Sequence, residues 1–211
     1  MVRQDPILIA APPRSGTTML AGLLHKHGVW VGNARTTMYP RTNSNFGAEN
    51  IDIKNIMKRE AGRVGYKNWE TPFPDPRLDS AIKSEIEAFV PDDIPWLVKI
   101  SWCLTFWKFW VGTYPKARWI FLTRDTLKIV DSMNRHPGMR RHPDEVKRNF
   151  IAGLLHAVGG VIDHGVSYAF IDTEGLADRD SVTIESLFQF LEIKPDFEVI
   201  QDWIKPEMLH R

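Results

Sequence analysis

The chain has 211 residues, enough for one full-sized hydrophobic core and crowded for two, so residues 1–211 are expected to form a single domain. Its 27 basic residues against 26 acidic ones leave a net charge of +1, which gives no general reason to expect nucleic acid or an anionic membrane as partner; any anion site must be local. A lone cysteine, Cys103, excludes an internal disulfide and a cysteine-based zinc cluster, and fits a reducing compartment.

The segment MVRQDP leads straight into the apolar run ILIAA (7–11), without the charged head and apolar core of a signal peptide. Nowhere do ~20 uninterrupted apolar residues occur, so a soluble, cytoplasmic protein is expected. Along the chain, strands are expected at 7–11, 29–31, 96–101, 119–123 and 167–172, three of them nearly continuous apolar runs of the kind that parallel strands covered on both faces require. Helical patterns fall at 17–27, 49–61, 78–90, 104–113, 126–134, 143–163 and 180–191, with a short one near 196–204. This alternation predicts an α/β three-layer sandwich around a central parallel sheet. Two loops stand out: the polar stretch 32–47, and the basic stretch RHPGMRRH at 135–142 with its Pro-Gly turn.

The first motif is ILIAAPPRSGTTML, residues 7–20. A buried strand, a tight turn and a helix beginning at Thr17 or Thr18 point a helix N-terminus at the carboxyl edge of the sheet, where free N–H groups and the helix dipole favour phosphate-like oxygens. Gly16 permits close backbone approach, and Ser15, Thr17 and Thr18 supply hydroxyls. Against the nucleotide-binding pattern G-x-x-x-x-G-K-[ST], Ala11 stands at the first glycine and Thr17 at the lysine. The cation has moved to Arg14, within the loop, which points to an anion other than a magnesium-bound triphosphate. A turn capping a core helix is the plainer reading of PRSG, but it leaves Arg14 and the two threonines unexplained.

The second motif, WIFLTRDTLKIVDSM, puts Arg124 at the carboxyl end of a strand, where open α/β sheets place ligands, and Ser132 two turns into the following helix. Pairing of Arg124 with Asp125 or Asp131 is the competing reading.

With these residues in view, PRSGTTML resembles the 5′-phosphosulfate loop of the sulfotransferases, which use 3′-phosphoadenosine 5′-phosphosulfate (PAPS) as donor and release adenosine 3′,5′-bisphosphate (PAP). Arg124 and Ser132, eight positions apart, are similar to that family's 3′-phosphate pair. The resemblance runs from residue 7 to about 209 and implies the family's P-loop-like α/β fold. It carries Lys99, in WLVKISW, over as a catalytic lysine beside Arg14. The histidine that follows that lysine by two in the better-known cytosolic members is Ser101 here, so a base must come from elsewhere. NSNFGAEN resembles a loop of bacterial-type members, which makes Glu49 the first candidate; Glu70, in NWETPFP, is the reserve. Against this, a carboxylate at the start of a helical run is favoured by the dipole alone. The family's Gly-rich RKGxxGDWK-like segment is not found, and Thr126 replaces the proline that commonly follows the arginine-aspartate pair.

The implied reaction is transfer of a sulfuryl group from PAPS to a hydroxyl or amine of a small-molecule, lipid or carbohydrate acceptor, with no metal expected. Arg14, Ser15, Gly16, Thr17 and Thr18 would hold the phosphosulfate, and Arg124 and Ser132 the 3′-phosphate. Of the seven histidines, His25 and His27 read as the exposed end of a helix, and His136 and His142 fall in the basic loop, which reads either as folding over the donor or binding an acidic acceptor, or as a plain solvated loop. Trp102, Trp107 and Trp110 read as core, whereas Tyr39, Phe46 and Trp69 are candidates for lining an acceptor pocket. Two rivals stand beside this reading: a kinase with a degenerate loop, and a noncatalytic protein that keeps only the bisphosphate site.

Overall fold

Four parallel strands in the order β2-β1-β3-β4 form the central sheet: β1 (Ile7–Ala10), β2 (Leu97–Val98), β3 (Arg118–Thr123) and β4 (Tyr168–Asp172). The computed structural model describes residues 4–34, 49–66 and 81–205. The helices are α1 (Thr17–Lys26), α2 (Ile51–Arg63), α3 (Ala81–Glu87), α4 (Trp102–Thr105), α5 (Trp107–Thr113), α6 (Thr126–Arg135), α7 (Asp144–Asp163), α8 (Thr173–Ala177), α9 (Ser181–Leu191) and α10 (Phe197–Trp203).

The period-two geometry of a strand sends alternate side chains to opposite faces, and both faces of the two central strands are covered. Leu8 and Ala10 of β1, with Trp119 and Phe121 of β3, enter a core shared with α2 to α7, while Ile7, Ile9, Ile120 and Leu122 enter a second core shared with α1, α9 and α10. The expected three layers follow. Each fully buried aliphatic side chain along these strands contributes about 1.5–3 kcal/mol by leaving water. Trp107 and Trp110 are core residues, as expected, and Trp102 stacks on Phe106 at 5.8 Å against the same core. Cys103 is buried here too, and burial pushes its thiol up to about 12, which leaves it inert as a nucleophile.

The elements differ from the expectation where local geometry intervenes. Residues 29–31 make no strand: they lie between Gly28 (φ 85°) and Gly32 (φ 72°), both left-handed, and contribute one parallel bridge, Trp30 to Trp96. The strand expected at 96–101 stops at Val98, because the carbonyl of Ile100 already accepts from Cys103 N–H as the chain turns into α4. The helix expected at 104–113 is divided between α4 and α5 at Phe106 (φ −104°, ψ 31°). β4 lies at the edge and is half-exposed rather than covered, and α8 follows it where no helix was expected, capped by Asp172 through Glu174 and Gly175 N–H.

His27 also departs from the reading of an exposed helix end. Its Nδ1–H donates to the Leu23 carbonyl at 2.8 Å, its Nε2 accepts from Asp196 N–H at 3.0 Å, and the ring packs on Phe188, so it joins α1 to the start of α10. Among the described residues no helix is long and apolar enough to cross a membrane.

Candidate functional site

β1 ends at Ala10, and residues 11–16 carry the chain from the carboxyl edge of the sheet into α1. The turn needs two left-handed residues: Gly16 (φ 81°), which is the N-cap of α1, and Arg14 (φ 73°), where a side chain is unusual. Among the described residues no side chain caps α1, and its first turn contains no acidic residue. No oxygen of a described side chain therefore masks the N–H groups there, which is the arrangement that accepts an anion. Ser15 is fully buried in the turn with its Oγ lacking a hydrogen-bond partner. An orphaned hydroxyl, a left-handed glycine and an uncapped helix start together fit a phosphate or sulfate group.

Three long-range hydrogen bonds hold this loop from outside. Arg14 Nε–H donates to Ser132 Oγ at 3.1 Å, Arg124 Nη1–H donates to the Arg14 carbonyl at 2.8 Å, and Thr173 Oγ1–H donates to the Ser15 carbonyl at 2.9 Å. Ser132, buried on α6, accepts through its oxygen and so keeps its own O–H for donation. Arg124 pairs neither with Asp125 nor with Asp131: Asp125 caps α6 through Leu127 N–H, Asp131 pairs with Arg135, and the Arg124 Nε lies 3.5 Å from Glu174 Oε1. The Asp125 cap starts α6 at Thr126 without the proline common at that point. The Arg124 side chain is only 3 % exposed, and Lys128 also pairs with Glu174 at 2.6 Å.

Beside the loop is a cleft of about 150 Å³, lined among others by Arg14, Thr17, Thr18, Glu49, Lys99 and His136. Lys99, just past β2, donates from Nζ to Thr18 Oγ1 at 3.1 Å and lies 3.8 Å from Glu49 Oε1. Burial holds the Lys99 ammonium below its ordinary value; the charges of Lys54 and Arg14 push the same way and Glu49 opposes them. Glu49 stands just before Asn50, which caps α2 through the N–H groups of Asp52 and Ile53, so its carboxylate lies outside the helix and is flanked by the ammonium groups of Lys54 and Lys99. Ser101, at the position of the absent histidine, lines the same cleft. Among the described residues no group of three or more histidine, cysteine, aspartate or glutamate side chains could hold a metal ion.

Arg14, Thr17, Thr18, Glu49 and Lys99 thus converge on one cleft, with Ser15 and Gly16 in the turn behind it. Arg124 and Ser132 reach the turn through its backbone and through Arg14. Glu70, Tyr39, Phe46 and Trp69 lie outside the described residues. His136 and Met139 of the basic loop line the cleft, although sequence reasoning named neither as a site residue, and it missed Thr173 and Glu174 of α8.

An uncapped helix start at the carboxyl end of a central parallel strand defines a P-loop-like α/β protein. Residues 6–154 match the profile of the sulfotransferase family, and the chain belongs to that family. No curated protein matches the sequence. Among solved structures, the sulfotransferase domain from the curacin biosynthetic pathway is similar at 15% identity with a TM-score of 0.56, over 96% of this chain and 79% of that one. The sulfotransferase domain of the Synechococcus PCC 7002 olefin synthase is 14% identical with a TM-score of 0.56, covering all of this chain and 84% of its own. Sulfotransferase STF1 from Mycobacterium tuberculosis H37Rv is 13% identical with a TM-score of 0.58, over 95% of this chain and 70% of that one. At these identities the likeness is one of fold.

Proposed function

We propose that this sulfotransferase-family chain, read as one domain, moves a sulfuryl group from PAPS to a hydroxyl or amine of a small-molecule, lipid or carbohydrate acceptor. The observation that carries the reading is the convergence of Arg14, Lys99 and Glu49 on one cleft at the uncapped start of α1. Bound there, PAPS supplies an activated sulfur with adenosine 3′,5′-bisphosphate as leaving group. Arg14 and the N–H groups of residues 15–18 hold the 5′-phosphosulfate, and Arg124 with the Ser132 O–H recognises the 3′-phosphate. Lys99 sets a positive charge against the bridging oxygen as the S–O bond breaks and the electron pair departs with the bisphosphate. The Glu49 carboxylate takes the proton from the acceptor as its oxygen or nitrogen bonds to sulfur. Each of these roles acts through position and charge, as in-line group transfer requires, and none needs a covalent enzyme intermediate or a magnesium clamp.

Thr17 in place of the nucleotide-binding lysine counts against the kinase reading, and the closeness of Lys99 and Glu49 to the loop counts against a noncatalytic one. The test is PAP release from PAPS in the presence of pooled hydroxyl and amine acceptors. Acceptor-dependent release that is lost in Glu49→Gln supports the assignment. Acceptor-dependent release of ADP from ATP with magnesium, and none of PAP from PAPS, would contradict it.

A further inference from the structure

His136 belongs by sequence to a basic surface loop, yet it lies in the wall of the cleft that holds Arg14, Thr18 and Lys99. It is the C-cap of α6, one turn beyond Ser132, and its backbone is fixed on both sides: its N–H donates to the Met133 carbonyl at 3.1 Å, and its carbonyl accepts from Met139 and Arg140 N–H at 3.0 and 2.9 Å. The ring is fixed as well. Gly138 N–H donates to His136 Nδ1 at 3.2 Å, and the approach is close enough that a Cβ at position 138 would stand 3.3 Å from the ring. A ring nitrogen that accepts from an amide carries no proton, so in the neutral imidazole the proton is on Nε2.

Burial, and after it the charge of Arg14, hold this imidazole below the ordinary histidine value, so it is neutral at pH 7. A neutral ring with Nδ1 engaged is unsuited to taking a proton, and well suited to giving a hydrogen bond in a cleft that already contains Arg14 and Lys99.

Resting on the donor reading above, we propose that His136 is a further donor-binding residue whose Nε2–H donates to a nonbridging oxygen of the 5′-phosphosulfate held by the Arg14 loop. It supplements Arg14 and the α1 N–H groups in the same cleft without adding a third full charge.

The test is titration of the wild-type protein and of His136→Ala, His136→Gln and His136→Asn with PAP, whose 5′-phosphate is the probe, each variant first checked for an unchanged melting temperature. The glutamine amide nitrogen reaches the place of Nε2 and the asparagine amide nitrogen that of Nδ1. His136→Ala is expected to bind about tenfold more weakly, the loss of one hydrogen bond to a charged group, with affinity restored by glutamine and not by asparagine. Affinity unchanged in His136→Ala, or restored by asparagine alone, would overturn the proposal. A long-range ¹H–¹⁵N spectrum of the wild-type protein needs no substitution: a proton on Nε2 supports the assignment, and one on Nδ1 overturns it. Failure of the wild-type protein to bind PAP would instead overturn the donor reading on which the proposal rests.

Discussion

Arg14 and Ser132, 118 positions apart, meet at 3.1 Å, and the bond joins the turn after β1 to the second turn of α6. The guanidinium that reads as an anion ligand is thereby aimed by a buried serine, while its own carbonyl is held by Arg124. The two anion motifs of the sequence are one structure in the fold.

Arg14→Ala is expected to weaken PAP binding by about 100-fold, since it removes a charged ligand and frees the loop from α6. Arg14→Gly should lose the same affinity yet be about 1 kcal/mol more stable than Arg14→Ala, because glycine accepts the left-handed backbone at φ 73° without cost to a Cβ. Titration and denaturant unfolding of the pair check both statements, and equal stability would contradict the backbone assignment.

Arg124→Ala should reduce the preference for PAP over adenosine 5′-phosphate. Its guanidinium also supports the Arg14 carbonyl, so some loss of affinity for both nucleotides is expected. If the preference between them stays intact, Arg124 only positions the loop and the 3′-phosphate is held elsewhere.

Glu49→Gln should leave PAP affinity within about threefold of wild type and lower turnover by about 10²–10⁴-fold, the usual contribution of a positioned general base. Turnover that persists would move the base to Glu70 or to the acceptor itself.

The proposed role of Lys99 predicts a rate that is sensitive to alkali. Its folded value lies below the ordinary 10.5, so the ammonium loses its charge, and with it the proposed stabilisation of the leaving oxygen, at a lower pH than a solvated lysine does. The unfolded chain then binds more protons than the native one in the window between the lowered value and 10.5, and stability rises with pH there. The pH–rate profile should fall on its alkaline side below the ordinary lysine value. Because Glu49 opposes the shift, Glu49→Gln should move any residual alkaline limb lower still; a limb that moves upward contradicts the pairing.

Gly160→Ala tests the packing behind the site. A Cβ there would stand 2.2 Å from the Trp107 ring, so α7 and α5 must separate or the indole must turn. A loss of about 1–3 kcal/mol in unfolding free energy is expected, with PAP affinity unchanged in the folded fraction.

The sheet and the turn after β1 were legible because their determinants are local: continuous apolar runs for β1 and β3, and a glycine with flanking hydroxyls at a strand-to-helix turn. Lys99 and Glu49 were found through family resemblance, and only the fold brings them to 3.8 Å. What local patterns missed depends on distant partners. The run 29–31 has the residues of a strand but is stopped by left-handed glycines on both sides. His136 was read only as part of a basic loop, since the cleft that it lines exists only once residues from β1, α1 and the chain after β2 come together beside it. The pairing of Arg124 with Glu174 was equally hidden, because α8 is a five-residue helix created by the Asp172 cap at the end of an edge strand.

The most direct measurement is isothermal titration of the protein with PAP and with ATP, each with and without magnesium. The sulfotransferase reading predicts tight binding of PAP that magnesium leaves unchanged, and much weaker binding of ATP. Preference for magnesium-ATP, or binding of neither nucleotide, would contradict it.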